Sequence, residues 1–290
     1  MKLRRWNGID VQEALALEMA GDDKFLTAFA QRNRFGTIFG GQFMGVALEA
    51  ASRTVEKKTA HAVSGYFLRR GDVETPLEIA VERSFDGTSY CARRVVCSQK
   101  GQPVFHLEAS FKTEEPSVAH AQLPSAGGNP ETLERLQDLL PRYRSRISDG
   151  LAMRLDTPPS IDLRPIDPDL FILGRPDRFH RAAWISAPSA QGAAQATQRS
   201  ILAYLTDYLL AGTAAIPHEA PDRTSDYFMA SLNQSMWFCA PVFADQWLLA
   251  ECSSPMVGSG RGIGRADIYN RAGQLVACAT QEVLIRDSRP

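Results

Sequence analysis

Near its C-terminal end the chain reads Gly273-Gln274-Leu275-Val276-Ala277-Cys278-Ala279-Thr280-Gln281-Glu282-Val283-Leu284-Ile285, a glycine turn followed by a strand-like run. A similar arrangement occurs in the first half, where Lys100-Gly101-Gln102-Pro103-Val104 opens another such run. Alternate residues of a strand share one face, so the two runs can be compared position by position from their glycines. The comparison predicts a duplicated fold.

The two runs differ at one position of their inward face. In the first run this face is wholly apolar and comprises Pro103, Phe105, Leu107, Ala109 and Phe111. In the second run it comprises Leu275, Ala277, Ala279, Gln281, Val283 and Ile285. Gln281 therefore stands where Ala109 stands, and a core-facing amide costs roughly 1–3 kcal/mol unless it is hydrogen-bonded. This asymmetry predicts that the second half carries the chemistry.

Length and composition indicate a soluble globular protein. A chain of 290 residues is expected to form two domains or one large pseudo-symmetric unit. The residues are 44% hydrophobic and 22% charged, which is typical of that class. A formal net charge of −1 gives no reason to expect nucleic acid or an anionic membrane as a partner.

The histidines and cysteines form no metal-binding pattern. The five histidines show no HxH or HExxH spacing and the five cysteines no CxxC pair, so we expect no metal and no cofactor. The odd number of cysteines favours a reducing compartment, and we expect a cytoplasmic protein. The basic start at 1–5 is followed by polar residues, and no run reaches about 18–20 apolar residues, so neither a signal peptide nor a membrane span is expected.

The pattern of one helix followed by several strands occurs twice. A stretch that is apolar on every side, at 42–55, predicts a buried helix. Strand-like runs follow near 61–69, 76–85, 88–99 and 102–113. The second unit has a strand at 178–186, a buried helix at 198–212 and strands near 226–238, 246–257, 261–270 and 274–286. We place an N-terminal repeat at 1–115, a linker with a short helix at 116–147, and a C-terminal repeat with the catalytic residues at 148–290.

Several segments form an ordered set between about residue 30 and residue 286, with the linker unmatched. They are Phe39-Gly40-Gly41-Gln42, Tyr66-Phe67-Leu68-Arg69 with Gly71-Asp72, Ala92-Arg93-Arg94-Val95, Ser235-Met236-Trp237-Phe238, and Gly273-Gln274-Leu275-Val276-Ala277 with Gln281-Glu282. Together they resemble acyl-CoA thioesterase II, the TesB type. The resemblance implies an α+β double hotdog, in which two helix-wrapped antiparallel sheets form one pseudo-symmetric unit. It also implies hydrolysis of acyl-CoA to free fatty acid and CoA without a metal, and exposed sheet edges favour a homo-oligomer.

The family positions a water with an Asp, a Thr or Ser, and a Gln, which fall here on Asp207, Ser231 and Gln281. Asp207 is the only Asp, Glu, Lys or Arg between Arg199 and Glu219. Burial would raise its pKa and make it a better general base near neutral pH. Two alternatives stay open: a partly exposed helix aspartate, and a Gln281 that is only a hydrogen-bonded core amide. The role of Ser231 depends on the resemblance.

Substrate binding is assigned to Gly40, Gly41, Tyr66 and Asn233. Gly40 and Gly41 start the first buried helix, where backbone amides can stabilise an oxyanion; the alternative is that they only allow tight packing. The phosphates of CoA require basic residues at the entry. The candidates are Arg69, Arg70, Arg93 and Arg94, each of which could instead belong to a solvated strand face.

The chain departs from the family pattern beside Ser-Met-Trp-Phe. An acidic residue and a His usually precede this motif, and here they are Asn233 and Gln234; a His and an Arg usually follow, and here they are Cys239 and Ala240. A non-catalytic acyl-CoA-binding or regulatory hotdog protein is therefore an alternative. A hotdog-type enoyl-CoA hydratase would need an Asp–His pair in one strand-to-helix segment, which the sequence lacks.

Overall fold

The computed structural model describes residues 3–218 and 227–287. Its strands are β1 (Arg4–Arg5), β2 (Leu17–Gly21), β3 (Lys24–Thr27), β4 (Phe29–Ala30), β5 (Thr59–Phe67), β6 (Glu78–Asp86), β7 (Tyr90–Gln99), β8 (Gln102–Lys112), β9 (Asp162–Pro165), β10 (His180–Ser186), β11 (Tyr227–Phe238), β12 (Leu248–Gly258), β13 (Arg261–Asn270) and β14 (Leu275–Asp287). Its α-helices are α1 (Val11–Ala14), α2 (Gly40–Ser52), α3 (Leu136–Tyr143), α4 (Asp149–Leu155), α5 (Pro168–Leu173), α6 (Gln195–Leu205) and α7 (Leu210–Ala215). Single 3₁₀ turns lie at Pro130–Thr132, Arg144–Arg146, Pro188–Ala190, Thr206–Tyr208 and Ile216–His218.

Twelve strands form one antiparallel sheet in the order β2-β3-β6-β7-β8-β5-β11-β14-β13-β12-β10-β9. The order β6-β7-β8-β5 of the first half is mirrored by β11-β14-β13-β12 of the second, which confirms the predicted α+β hotdog duplication. The two predicted sheets join edge to edge through β5 and β11, which pair from Ala62 with Trp237 to Tyr66 with Asn233. The sequence did not predict this junction, because nothing local specifies which strand edges meet.

Glycine turns set the register of the long hairpins. Lys100 and Gly101 have φ of 51° and 73°, and Ser259 and Gly260 have φ of 53° and 75°. Positive φ at both central residues matches the right-handed twist of a two-residue hairpin. The turn predicted at Lys100-Gly101, which connects β7 to β8, is confirmed, and a turn of the same kind connects β12 to β13.

The helices α2 and α6 pack against each other inside the curved sheet, where α2 is buried along nearly its whole length. Gly41 and Gly45 lie one helical turn apart on the contact side. A Cβ on Gly41 would collide with the Tyr204 carbonyl oxygen, and one on Gly45 would lie 3.1 Å from the Ser200 carbonyl oxygen. These two glycines therefore allow the backbones of the two helices to approach closely.

The second buried helix is broken, which corrects the predicted single helix at 198–212. It consists of α6, the 3₁₀ turn Thr206–Tyr208 and α7. The hydroxyl of Thr206 donates to the Ala203 carbonyl (2.8 Å), while the Arg181 guanidinium donates to the Leu209 carbonyl (2.6 Å). Side chains thus donate hydrogen bonds to backbone carbonyls at the break. The tight turn between the two helices contains Asp207.

The short helix predicted within 116–147 corresponds to α3, but the other short elements before α2 and between residues 113 and 180 were not predicted. Strands of two to five residues, such as β2 and β9, give too few alternating positions for a period-2 signal. Among the residues that the structure describes, no helix is long and apolar enough to cross a membrane.

Candidate active site

Asp207 lies at the centre of a hydrogen-bonded cluster. Its Oδ1 accepts from Gln281 Nε2 (2.6 Å) and from the Ser231 hydroxyl (3.3 Å). Its Oδ2 accepts from the Gly41 backbone N–H (2.8 Å). The three residues assigned to the catalytic water, which come from a helix break and two strands, are therefore brought together.

Gln281 points into the core from β14 and is 1% exposed. Besides Asp207, its Nε2 lies 3.1 Å from Ser231 Oγ and 3.3 Å from Gln234 Oε1. Its Oε1 is buried and has no hydrogen-bond partner among the described residues. A buried acceptor without a partner is costly, and it can accept a hydrogen from a bound water or substrate.

A β-bulge turns Ser231 toward the core. Across β11 and β14, Ser231 is opposite Val283 and Asn233 is opposite Glu282, so Leu232 is an extra residue. An extra residue bends the strand and re-aims its side chains. The Ser231 hydroxyl thereby shares a face with Val283 and Gln281 and reaches the Asp207 carboxylate.

Burial raises the pKa of the Asp207 carboxyl above its ordinary value. Hydrogen bonds from Gln281, Gly41 and Ser231 favour the carboxylate and partly offset this effect, in that order of strength. The carboxylate is thus desolvated enough to gain basicity and is still supported by three donors.

The start of α2 is closely fitted to this cluster. A Cβ on Gly40 would lie 2.7 Å from Asp207 Oδ2 and 3.3 Å from Ser231 Oγ, so a side chain at Gly40 would fill the space in front of both atoms. The Gly41 N–H is committed to Asp207, which corrects its assignment as an oxyanion donor. The Gly40 N–H, at the first helical position, lacks an intrahelical acceptor and is the remaining candidate from that pair.

A cavity of about 1280 Å³ extends from this cluster. Gly40, Asp207 and Ser231 line it. Its walls contain nine arginines: Arg5, Arg32, Arg34, Arg69, Arg70, Arg135, Arg154, Arg181 and Arg286. The acidic lining residues are Asp138, Asp156 and Asp207, so the walls carry an excess of six positive charges in a chain of net charge −1. A cavity of this charge selects an anionic ligand.

Two of the four predicted CoA arginines line the cavity, namely Arg69 and Arg70. The other two do not. Arg93 is 2% exposed, and its guanidinium donates to the carboxylate of Asp86 (2.6 Å) and to the Thr54 hydroxyl (2.9 Å), so it holds β7 against the end of α2. Arg94 lies 3.7 Å from Glu108 and is half-exposed. No sequence pattern pointed to Arg34 or Arg286, which lie far apart along the chain.

Tyr66 and Asn233 lie outside the cavity. Tyr66 is 50% exposed and stacks on the His106 ring (centroid separation 5.5 Å). Asn233 donates to the Glu282 carboxylate (2.8 Å) and is opposite Tyr66 across the sheet junction. Strand alternation places Tyr66 on the face opposite Val63 and Gly65, which are buried. We leave Tyr66 and Asn233 out of the proposed site.

The departures from the family pattern occupy different environments. Gln234 is fully buried, and its Nε2 donates to the Thr206 hydroxyl (2.7 Å), which joins the Asp207 cluster to the helix break. Cys239 is exposed, while Ala240 is buried. Of these residues, only Gln234 hydrogen-bonds directly to a catalytic candidate.

A second network that the sequence did not reveal lies beside Asp207. Gln31 Nε2 donates to the Tyr208 hydroxyl (2.6 Å), and the Tyr204 hydroxyl donates to Gln31 Oε1 (2.8 Å). Gln31 and Tyr208 both line the cavity. Since Tyr204 is committed to Gln31, the Tyr208 hydroxyl hydrogen can be donated either to Tyr204 or into the cavity.

Within the described residues, no group of three or more His, Cys, Asp or Glu side chains could hold a metal ion. The reactive groups that the geometry supplies are a desolvated carboxylate, a hydroxyl, an amide and a helix N-terminus. This set can activate a water and stabilise an oxyanion.

Comparison with known proteins identifies two family domains in the chain. The acyl-CoA thioesterase N-terminal domain matches residues 30–112, and the acyl-CoA thioesterase C-terminal domain matches residues 124–285. The chain is 32% identical over 259 residues to human acyl-coenzyme A thioesterase 8, covering 86% of this chain and 80% of that protein. It is 27% identical over 268 residues to acyl-CoA thioesterase 2 of Haemophilus influenzae, covering 92% and 94% respectively.

Solved structures agree with these sequence matches. The crystal structure of the acyl-CoA thioesterase II TesB2 from Mycobacterium marinum superposes with a TM-score of 0.76 at 29% identity, covering 96% of this chain and 99% of that one. Both domains are present in family order, and together they span most of the chain. The chain belongs to the acyl-CoA thioesterase family.

Proposed function

We propose that this acyl-CoA thioesterase hydrolyses its substrate with a water activated by Asp207 and oriented by Ser231 and Gln281. The supporting observation is the convergence of these three side chains, at 2.6–3.3 Å from one another, beside a cationic cavity that Asp207 and Ser231 line. The non-catalytic alternative has no support from a specific observation, because Asp207, Ser231 and Gln281 are hydrogen-bonded to one another despite the departures nearby.

The chemistry follows from the contacts. Asp207 accepts a proton as the water oxygen bonds to the thioester carbonyl carbon, and the unpartnered Oε1 of Gln281 accepts the second hydrogen of that water. The Gly40 N–H donates to the developing oxyanion. The C–S bond then breaks and the thiolate of CoA leaves. Its conjugate acid has a pKa near that of Cys, about 8.5, so no strong general acid is required.

The test is Asp207→Asn, which keeps the volume and removes the base. We expect kcat/KM to fall by about 10²–10⁴ with an unchanged circular dichroism spectrum. The control is Asp22→Asn at an exposed turn. Retention of more than half of wild-type hydrolysis would exclude Asp207 as the base.

Three further expectations belong to this proposal. We infer a homo-oligomer and a cytoplasmic, reducing environment; the latter agrees with five cysteines that are all free. We also keep the division into repeats at 1–115 and 148–290 around a linker at 116–147. Limited proteolysis and size-exclusion chromatography with light scattering test the division and the oligomeric state.

A further inference from the structure

The cavity reaches the surface where β5 and β11 separate. These strands pair only between Ala62–Tyr66 and Asn233–Trp237, while β11 extends beyond this pairing to Tyr227. The chain after β5 instead continues beside β8, its other neighbour, where the Leu68 N–H donates to the Val104 carbonyl (2.9 Å). We call the resulting opening the cavity mouth, lined by Arg34, Phe35, Arg69, Arg70, Phe228 and Arg286.

Aromatic rings and guanidinium groups are layered at the cavity mouth. The Phe35 and Phe228 ring centroids are 5.2 Å apart. The Arg34 guanidinium carbon lies 4.2 Å from the Phe35 centroid, and that of Arg70 lies 5.0 Å from the Phe228 centroid. Phe35 is 39% exposed although it is a large apolar side chain. An exposed ring flanked by cations is suited to stacking with a flat base beside phosphate groups.

Charge distinguishes the mouth from the rest of the cavity. The mouth has four arginines, and no described carboxylate lines it. Elsewhere on the cavity wall, Arg5, Arg135 and Arg154 are accompanied by Asp138 and Asp156. Arg286 is directly opposite Phe228 across β11 and β14, so its guanidinium and the ring share one face. The mouth is therefore the part of the cavity that favours a polyanion.

We propose that the cavity mouth binds the nucleotide of CoA, with adenine against Phe35 and the phosphates on Arg70 and Arg286. Arginine is the side chain best suited to phosphate, because its planar fork can donate two hydrogen bonds to one group. Phe228 lies three residues from Ser231, about 10 Å along the strand and on its opposite face, so the pantetheine arm passes around the edge of β11 that β5 leaves unpaired to reach the thioester. This assignment rests on the proposed function.

The experiment compares two substrates that differ only in the nucleotide: octanoyl-CoA and octanoyl-pantetheine. In the double variant Arg70→Gln/Arg286→Gln, we expect KM for octanoyl-CoA to rise at least about tenfold, because two charge-assisted hydrogen-bonding groups are lost. The KM for octanoyl-pantetheine should keep its wild-type value. Adenosine 3′,5′-bisphosphate should inhibit the wild type competitively and lose potency in the variant.

The control is Arg94→Gln, since Arg94 is a half-exposed arginine that does not line the cavity. Equal KM changes for both substrates, or no change for octanoyl-CoA, would overturn the assignment while leaving Asp207 as the base. If the wild type released no thiol from either substrate, the proposed function would fail. Calorimetric binding of CoA to the wild type and the double variant would then decide the assignment alone, with equal affinities refuting it.

Discussion

At the scale of single residues, the site depends on one asymmetry between the repeats. Ala109 in the first half and Gln281 in the second are both core-facing, with 2% and 1% exposure. Ala109 is opposite Val63, whereas Gln281 is opposite Gln234, so polar residues replace apolar ones on both strands. The sequence predicted Gln281 because the repeat supplied its own reference. It could not reveal the Gln234 contact, since pairing between distant strands is not encoded locally.

The hydrogen bonds to Asp207 predict a graded pH dependence. Gln281 is the strongest of the donors that lower the pKa of this buried carboxyl, and Ser231 is a weaker one. Gln281→Leu replaces the donor with an apolar side chain. The pKa of the Asp207 carboxyl should therefore rise further. Because the carboxylate is the active form, the acidic limb of kcat/KM should move to higher pH, with a smaller movement in Ser231→Ala.

The measurement is the pH profile of thiol release for both variants and the wild type. Thr280→Val is the matched control, since Thr280 adjoins Gln281 on β14 and faces the other side of the sheet. A limb that stays at its wild-type position in Gln281→Leu would contradict the assigned hydrogen bond to Asp207.

At the scale of elements, the strands were predictable and the second helix was not. Long strands such as β8 and β14 alternate over eleven or more residues, which is a strong period-2 signal. The break between α6 and α7 arises from contacts made by Thr206, Gln234 and Arg181, and two of these residues belong to other elements. Propensity within the helix could not indicate it, because an apolar helix pattern continues through Leu209 and Leu210.

Close packing of α2 on α6 gives a second prediction. Gly45→Ala places a methyl group 2.5 Å from a Leu15 methyl carbon and 3.1 Å from the Ser200 carbonyl oxygen. We expect a loss of about 1–3 kcal/mol in the free energy of unfolding, since overpacking forces side chains and backbone to shift. Gly127→Ala is the control, because nothing lies within 4 Å of its Cβ position. Denaturant unfolding of both variants provides the measurement, and equal stabilities would show that the helices can separate without cost.

At the scale of the whole molecule, charge is distributed unevenly. The chain has 32 basic and 33 acidic side chains, yet the cavity concentrates nine arginines against three aspartates. Net charge gave no indication of an anionic ligand, because these arginines come from segments as distant as Arg5 and Arg286. Only the folding of the whole chain brings them to one cavity.

This concentration of charge predicts that ionic strength acts on binding and not on the chemical step. Screening shortens from about 10 Å at 0.1 M salt to about 3 Å at 1 M, so the attraction between the cavity and a polyanionic substrate weakens as salt is added. Asp207 is partly buried and its hydrogen bonds are no longer than 3.3 Å, where screening is much weaker. In steady-state assays we therefore expect KM for octanoyl-CoA to rise steadily with potassium chloride while kcat changes little. A KM that stays constant between low and high salt, or a parallel fall in kcat, would show that the arginines do not attract the substrate.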